Sequence, residues 1–343
     1  MLKLRISLHT FRENLRQVQQ EIGNSGIILV AKANAYGLGA IELSRVAIEQ
    51  GVQTLAVATV LEGKQLREAG IKAPILILSE PLDWESIYEY DLIPTVYTMA
   101  FLKLLDQTKK RCGIHIKVNT GMNRLGCEPE DFGALFEYVK ANPYIQLKGV
   151  YSHFASLDDQ AYSLNQVSKF QALIQKFDLK RLGICIHMAN SGAVFEHPEV
   201  HFDQVRVGLF AYHNIATLSS SVLFCHAVQK GEKIGYEGVF EAMQDTVIAT
   251  VFGGYADGIP TQLSNKGVVL IKGREFPIVG RVCMDMILVD LSKNDLDIQR
   301  GDEVFFLDNH TLDLQRISRL ADKNPREFLT GIGARSRLMV IYE

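Results

Sequence analysis

IILVAKANAYGLG, residues 27–39, runs four apolar residues through Ala31 into Lys32, then into Asn34, Tyr36 and the glycines 37 and 39. Read as IILVAKAN (27–34), it is a short, almost continuously apolar segment, the pattern of a strand covered on its outer face. Seven more runs of this kind follow: TLAVAT (54–59), PILIL (74–78), IPTVY (93–97), IHIKVN (114–119), LKGVYSHF (147–154), ICIHM (184–188) and DQVRVGL (203–209). Helix-like stretches separate them, among them IELSRVAIEQ (41–50), AFLKLLDQTKK (100–110), DFGALFEYVKA (131–141) and AYSLNQVSKFQALIQKF (161–177). Eight such strand–helix units over roughly 200 residues predict an α/β fold of the (β/α)8 barrel type. A doubly wound sheet is the competing expectation, but the first strand is not followed by GxGxxG.

Beyond about residue 215 the texture changes. SVLFCHAVQ (221–229), TVIATVF (246–252), GVVLI (267–271), FPIVG (276–280), MILVDL (286–291), DEVFFL (302–307) and RLMVIY (337–342) are separated by turns, with one helix expected around LQRISRLAD (314–322). This predicts a mainly antiparallel β domain. The division expected is 8–215 for the barrel and 216–343 for the β domain, with residues 1–7 completing the latter. Leu2 to Leu8 alternates like an edge strand, and FRENLRQVQQ continues as a polar helix.

Composition narrows the function. The 343 residues carry 36 basic and 39 acidic side chains, a formal net charge of -3, so no basic field suits nucleic acid. Neither a signal-peptide core nor an uncharged apolar stretch of about 18 residues is present, so a membrane partner is not expected. The five cysteines (112, 127, 185, 225, 283) form no CxxC pair. Their odd number and wide spacing argue against a disulfide framework or a metal site, and a cytoplasmic location is expected.

A lysine at the rim of a barrel strand is rarely buried without a partner, and burial lowers its proton affinity. Both traits suit an amine that condenses with an aldehyde cofactor. From composition alone, an ammonium that snorkels out of the barrel mouth explains Lys32 better. Arg206 is a charge inside an apolar run and needs a partner. His153 closes the sixth run. NSG (190–192) is by itself a turn signal.

These segments together resemble one family. AKANAYGLGA (31–40) is similar to the cofactor-lysine motif of the alanine racemases. IKVNTGMNRLG (116–126), SHFASLDD (152–159), MANSGA (188–193) and QVRVGL (204–209) resemble their further motifs in order, as do GGYADGIPTQLSNKG (253–267) and PIVGRVCMDMILVD (277–290). The resemblance implies a barrel with a C-terminal β domain, pyridoxal 5'-phosphate as cofactor, a small amino acid as substrate, and a head-to-tail homodimer. It implies that Lys32 is the Schiff-base lysine and one acid/base group. Tyr236, in KIGYEGVF (233–240), is the opposing base, contributed to the other subunit's site. Inverting a stereocentre needs proton removal on one face and delivery on the other, so two groups make physical sense.

The same resemblance places Arg206 against the pyridine nitrogen, supported by His153. It places Tyr36, Asn190, Ser191 and Gly208 around the phosphate. Arg124 and Met284 fall to the substrate carboxylate, with Lys117, Tyr255 and Asp285 in support and Met284 reaching the other subunit. Lys117 matches a lysine that some members carry as a carbamate. The implied activity is interconversion of L- and D-alanine, supplying D-alanine for peptidoglycan precursors.

Four positions depart from the pattern. Asn119 stands where the family has aspartate, His213 and Glu237 where it has glycine, and Ala334, aligned through Arg335, where some members have a phosphate-binding tyrosine. A loop after DEVFFL is also shortened. Broad-substrate, lysine and serine racemases share this machinery and differ in the pocket wall, so they stay open from the residues. A non-catalytic PLP-binding regulatory protein is a further alternative. A decarboxylase of related fold is less suited, because Cys283 sits in the racemase-like VCMD rather than in a C-terminal catalytic cysteine motif.

Overall fold

Each of the eight apolar runs forms a strand in the computed structural model, which describes residues 2–292, 296–333 and 338–343. The chain enters through β1 (Lys3–Ile6) and the helix Leu8–Ile22. The barrel strands follow: β2 (Gly26–Val30), β3 (Thr54–Val57), β4 (Ile75–Ile77), β5 (Ile93–Val96), β6 (Cys112–Lys117), β7 (Ile145–Tyr151), β8 (Cys185–His187) and β9 (Gln204–Val207). All neighbours pair in parallel, and β2 pairs with β9 to close the barrel. Every residue of β3 and β4 is buried, as expected for strands with helices on one side and a packed interior on the other.

The first run ends as a strand at Val30 rather than continuing to Asn34, because the chain turns sharply after Ala31. The predicted helices are present as Ala40–Glu49, Met99–Gln107, Phe132–Ala141 and Gln160–Lys176. Thr59, Thr98 and Asp159 cap the helices that follow them, each side chain accepting a backbone N–H from the first turn.

The later strands are β10 (Ala216–Val228), β11 (Lys233–Ile234), β12 (Phe240–Glu241), β13 (Thr246–Phe252), β14 (Val268–Ile271), β15 (Arg274–Val279), β16 (Met286–Asp290), β17 (Glu303–Leu307) and β18 (Met339–Tyr342). Eight strands form one sheet in the order β13-β16-β15-β14-β17-β10-β1-β18. The thirteen-residue β10 pairs with β1 and β17 through its first half and with β13 through its second, with a register shift between Val222 and Phe224.

Two expectations need correction here. β1 is not an edge strand: it pairs antiparallel with β10 and parallel with β18, and Leu2, Leu4 and Ile6 are buried. A second helix, Pro325–Gly333, follows Leu314–Leu320. Its two glycines disguise it, since glycine weakens a helix by about 1 kcal/mol. Close packing explains Gly333, whereas a Cβ on Gly331 would meet open space. A Cβ on Gly333 would stand 1.9 Å from the Gly37 carbonyl oxygen, and one on Gly37 would stand 2.7 Å from that of Leu329.

The chain divides into two compact units. One contains Met1–Phe11, Tyr36–Gly39 and Tyr212–Glu343; the other contains Arg12–Ala35 and Ala40–Ala211. The segment around Lys32 is therefore shared out between them. No helix among the described residues is long and apolar enough to cross a membrane. No group of three or more His, Cys, Asp or Glu among them could hold a metal ion.

Candidate active site

Lys32 stands directly after β2, at the start of a left-handed turn. Ala33, Asn34 and Ala35 have φ of 51–54° and ψ of 47–54°, and Tyr36 has φ 58°. The Ala35 N–H donates to the Ala31 carbonyl at 2.9 Å, closing the turn. For L-residues this hand costs about 1–2 kcal/mol per residue, so the surroundings must hold it. Asn34 Oδ1 accepts the Ala40 N–H at 2.8 Å, and a carboxylate oxygen of Glu62 accepts the Ala33 N–H at 2.6 Å. Tyr36, in the other unit, lies 5.2 Å ring to ring from Tyr212, and burial raises its hydroxyl pKa against the lowering effect of Arg326.

Inside the barrel, β9 carries Arg206, which is 4% exposed. Its Nη1 donates to His187 Nδ1 at 2.7 Å and to the His187 carbonyl at 3.2 Å. Nη2 donates to the Ser152 carbonyl (2.6 Å), to His153 Nδ1 (3.0 Å) and to the Met188 carbonyl (3.0 Å). These five bonds use Nη1 and Nη2 alone and leave the Nε–H outside them. A guanidinium only donates, so His153 and His187 must accept through Nδ1 and carry their protons on Nε2. His187 Nε2–H then donates to His115 Nδ1, 2.9 Å away. Burial and the Arg206 charge keep all three rings neutral, lowering His115 to about 3, His153 to about 2, and His187 well below the usual range. Tyr151 completes the group, stacked on His187 at 4.7 Å with Arg206 5.1 Å from its ring centre.

Lys117 ends β6 and is 5% exposed. Burial, then the charges of Arg206, Arg124 and Lys32, lower its amine to about 8. The adjoining loop is pinned at its base, where Asn119 N–H donates to the Cys127 carbonyl at 2.8 Å and Cys127 N–H to the Lys117 carbonyl at 2.9 Å. Gly126 makes that closure possible: its φ is 130°, and a Cβ there would meet the Asn119 nitrogen at 2.6 Å. Asn119 organises the loop interior. Its oxygen accepts from Gly121 and Asn123 N–H, while its Nδ2 donates to Asn123 Oδ1 (2.9 Å) and Glu128 Oε1 (2.7 Å). Arg124, exposed on this loop, is among the charges acting on Lys117 and His153.

After β8, Asn190 Oδ1 accepts the N–H groups of Gly192 and Ala193, both at 3.1 Å. Ser191 Oγ accepts from Gly208 N–H at 3.0 Å and Phe210 N–H at 3.3 Å, which leaves its own proton to donate. The structure therefore ties Ser191 to Gly208, and it links His153 to Arg206 directly. Lys32, Arg124 and Arg206 all act on the charge of Lys117 and of His153 at one end of the barrel.

The remaining expected residues belong to the other unit. Tyr236 is 69% exposed on a short 3-10 turn between Gly235 (φ 75°) and Glu237 (φ 60°), and Glu237 pairs with Arg281. Tyr255 and Met284, 43% and 52% exposed, sit on two loops joined by backbone bonds. Gly253 N–H donates to the Asp285 carbonyl, Tyr255 N–H to that of Cys283 and Ala256 N–H to that of Met284, at 2.9–3.0 Å. His213 is exposed and follows the buried Tyr212. Ala334 and Arg335 lie outside the described residues.

Four residues of the buried cluster were not singled out from the sequence: His115, Tyr151, Ser152 and His187. Three of them lie in the quoted runs IHIKVN and LKGVYSHF and the fourth in ICIHM. A histidine flanked by isoleucines inside a barrel strand was the available signal.

Comparison with known proteins shows the family. The family descriptions "Alanine racemase, N-terminal domain" and "Alanine racemase, C-terminal domain" match residues 6–214 and 215–340. An alanine racemase of Halothermothrix orenii is 34% identical over 367 aligned positions, covering 96% of this chain and 97% of the relative. An alanine racemase structure from Clostridium difficile 630 superposes with a TM-score of 0.93 at 30% identity, covering 100% of this chain and 95% of that one. Another, from Bartonella henselae with covalently bound pyridoxal phosphate, gives 0.89 at 28% identity, covering 100% and 99%. With both halves of the chain matched in order, this chain belongs to the alanine racemase family.

Proposed function

We propose that the chain interconverts L- and D-alanine with pyridoxal 5'-phosphate held on Lys32. The observation that carries the reading is one barrel end at which Lys32 follows β2, Lys117 closes β6 and Arg206 on β9 is bonded to His153, which follows β7. The donor set fits the cofactor. Lys32 offers an amine for the aldehyde, Ser191 keeps a hydroxyl proton for a phosphate oxygen, and Arg206 keeps an Nε–H for the pyridine nitrogen. Tyr36, Asn190 and Gly208 are assigned to the phosphate with Ser191. When bound, pyridoxal phosphate supplies an electron sink that acidifies the Cα–H of an amino acid.

The chain's own residues would do the rest. Arg206 stays protonated, with burial lowering it only to about 10, so it presents a donor and never a proton acceptor. His153 and His187 hold it by accepting from it. Arg124 and the Met284 backbone N–H bind the substrate carboxylate, with Tyr255 and Asp285 beside Met284. Lys32 moves the proton on the D side and Tyr236 the proton on the L side. We assign Tyr236 and Met284 to the other subunit's site in a head-to-tail homodimer. Their exposure in the single chain, with that of Tyr255, supports this, because large exposed apolar groups mark a surface to be covered. The domains we propose are 8–215 for the cofactor-binding barrel and 216–343 with 1–7 for the β domain. A cytoplasmic role in peptidoglycan precursor supply follows from the same reading, and the five free thiols suit it.

Lys117 is assigned a carbamate. Its lowered amine can attack carbon dioxide, losing one proton and leaving an anion among Arg206, Arg124 and Lys32. A native mass lacking the added carbon dioxide would remove that assignment. The reading as a whole is tested by loading the purified protein with pyridoxal phosphate and assaying a panel of L-amino acids for D products. Alanine turnover is the expected result. Cofactor binding without racemisation of any amino acid would make the chain a cofactor-binding regulator, and faster turnover of lysine or serine would replace the substrate.

A further inference from the structure

Glu62 has no part in the chemistry assigned above, yet its carboxylate joins two barrel loops. One oxygen accepts the Ala33 N–H at 2.6 Å, from the left-handed turn after β2. The other accepts the N–H groups of Ala58 (2.8 Å) and Thr59 (3.0 Å), which follow β3. Glu62 N–H in turn donates to Thr59 Oγ1 at 3.2 Å, completing the capping box of helix Val60–Glu68. Three N–H donors thus converge on one half-buried carboxylate. Only an acceptor with two bare oxygens satisfies them all, since an amide would turn an NH2 toward one set.

The position matters because Ala33 adjoins Lys32. Its peptide N–H fixes the plane from which the lysine side chain departs, and a left-handed turn of non-glycine residues does not hold that plane unaided. We propose that Glu62 is a positioning residue for Lys32. Its carboxylate clamps the left-handed turn and so sets the direction in which the amine leaves the end of β2. This rests on Lys32 being the cofactor lysine.

The test compares full-length wild type, Glu62→Gln and Thr59→Ala. Thr59→Ala removes the hydroxyl half of the same helix cap and leaves the Glu62–Ala33 bond, so it reports what loss of helix stability does alone. Two readouts separate the roles. One is hydrogen exchange at the Ala33 amide. The other is the pyridoxal phosphate concentration that half-loads Lys32, trapped with borohydride and counted by mass on the Lys32 peptide. In Glu62→Gln, Ala33 exchange should rise and half-loading should need about tenfold more cofactor or beyond, the scale of a misplaced reacting group. Thr59→Ala should lower the unfolding midpoint and leave both readouts at wild-type values. Loading of Glu62→Gln at the wild-type concentration would overturn the proposal, as would an equal loading defect in Thr59→Ala. A wild type that loads pyridoxal phosphate elsewhere than Lys32 would defeat the cofactor reading itself, and this proposal with it.

Discussion

The barrel interior and the exposed loops of the β unit contribute to the proposed chemistry in opposite ways. In the barrel, Arg206, Lys117 and His187 are 4%, 5% and 0% exposed, and Arg206 makes five hydrogen bonds. In the β unit, Tyr236, Met284 and Tyr255 stand 69%, 52% and 43% exposed. Folding alone fixes the first group, so damage there appears as lost stability as well as lost activity. The second group owes little to folding, so damage there should appear in activity alone.

The largest effect that could break this contrast comes from Tyr236→Phe. Racemisation should fall by about 10²–10⁴-fold, the range for a positioned acid/base group, while stability stays within about 0.5 kcal/mol. Equal losses in both quantities would make Tyr236 a packing residue. Mixing this variant with Lys32→Ala sharpens the point. If Tyr236 acts in trans, each heterodimer has one site without either defect and regains up to about half the normal activity. Cα deuterium exchange in the Tyr236 variant should survive far better with D-alanine than with L-alanine.

Arg206→Ala should behave in the reverse manner. It strips partners from two imidazoles and three carbonyls in the barrel, and each buried group left unsatisfied costs about 1–3 kcal/mol. A denaturant midpoint should therefore report a loss of at least about 3 kcal/mol before any assay is run. Retained stability would show that the network around Arg206 is replaceable.

The same network predicts a pH response. His115, His153 and His187 stay neutral when folded, but in the unfolded chain they take up protons below about pH 6.5. Their stabilising contribution is complete above that pH. It falls as the pH drops toward about 3 for His115 and about 2 for His153. The slope is about 1.4 kcal/mol per pH unit for each histidine. Denaturant curves between these limits should show the loss beginning above the carboxylate range; a flat profile down to pH 5 would contradict the neutral assignment. The smallest effect expected is from Asn119→Asp, which would set a second carboxylate against Glu128, 2.7 Å from the present amide nitrogen. At neutral pH it should cost about 1 kcal/mol or less, being partly solvated, and the loss should shrink as the pH approaches 4.

The barrel was legible in the sequence because parallel strands buried on both faces leave continuous apolar runs, and eight of them pair as read. Lys32 and Arg206 stood out as charges in such runs. His115 and His187 did not, because their hydrogen bond exists only once β6 and β8 lie in one closed barrel. The left-handed turn was hidden for another reason: Ala-Asn-Ala-Tyr carries no glycine to announce a positive φ, and Glu62, which helps to hold it, comes about thirty residues later. Tyr236 and Met284 were readable only through family resemblance, since an exposed aromatic on a turn has no pattern of its own. The helix Pro325–Gly333 was lost to its two glycines; the need for Gly333 appears only where its backbone meets that of Gly37.

The placement of β1 sets an order on the protein's synthesis. β1, made before the barrel strands, pairs Lys3 with Ser219 on one side and with Met339 on the other. It must wait for more than two hundred residues to be made before either neighbour exists. During that interval Leu2, Leu4 and Ile6, buried in the finished sheet, travel as an unpaired apolar strand ahead of the emerging barrel, a species open to mispairing with other nascent chains. Both neighbours of β1 come late, so the sheet cannot be completed until β18 arrives, and a chain stalled short of β18 would leave β1 with one open side.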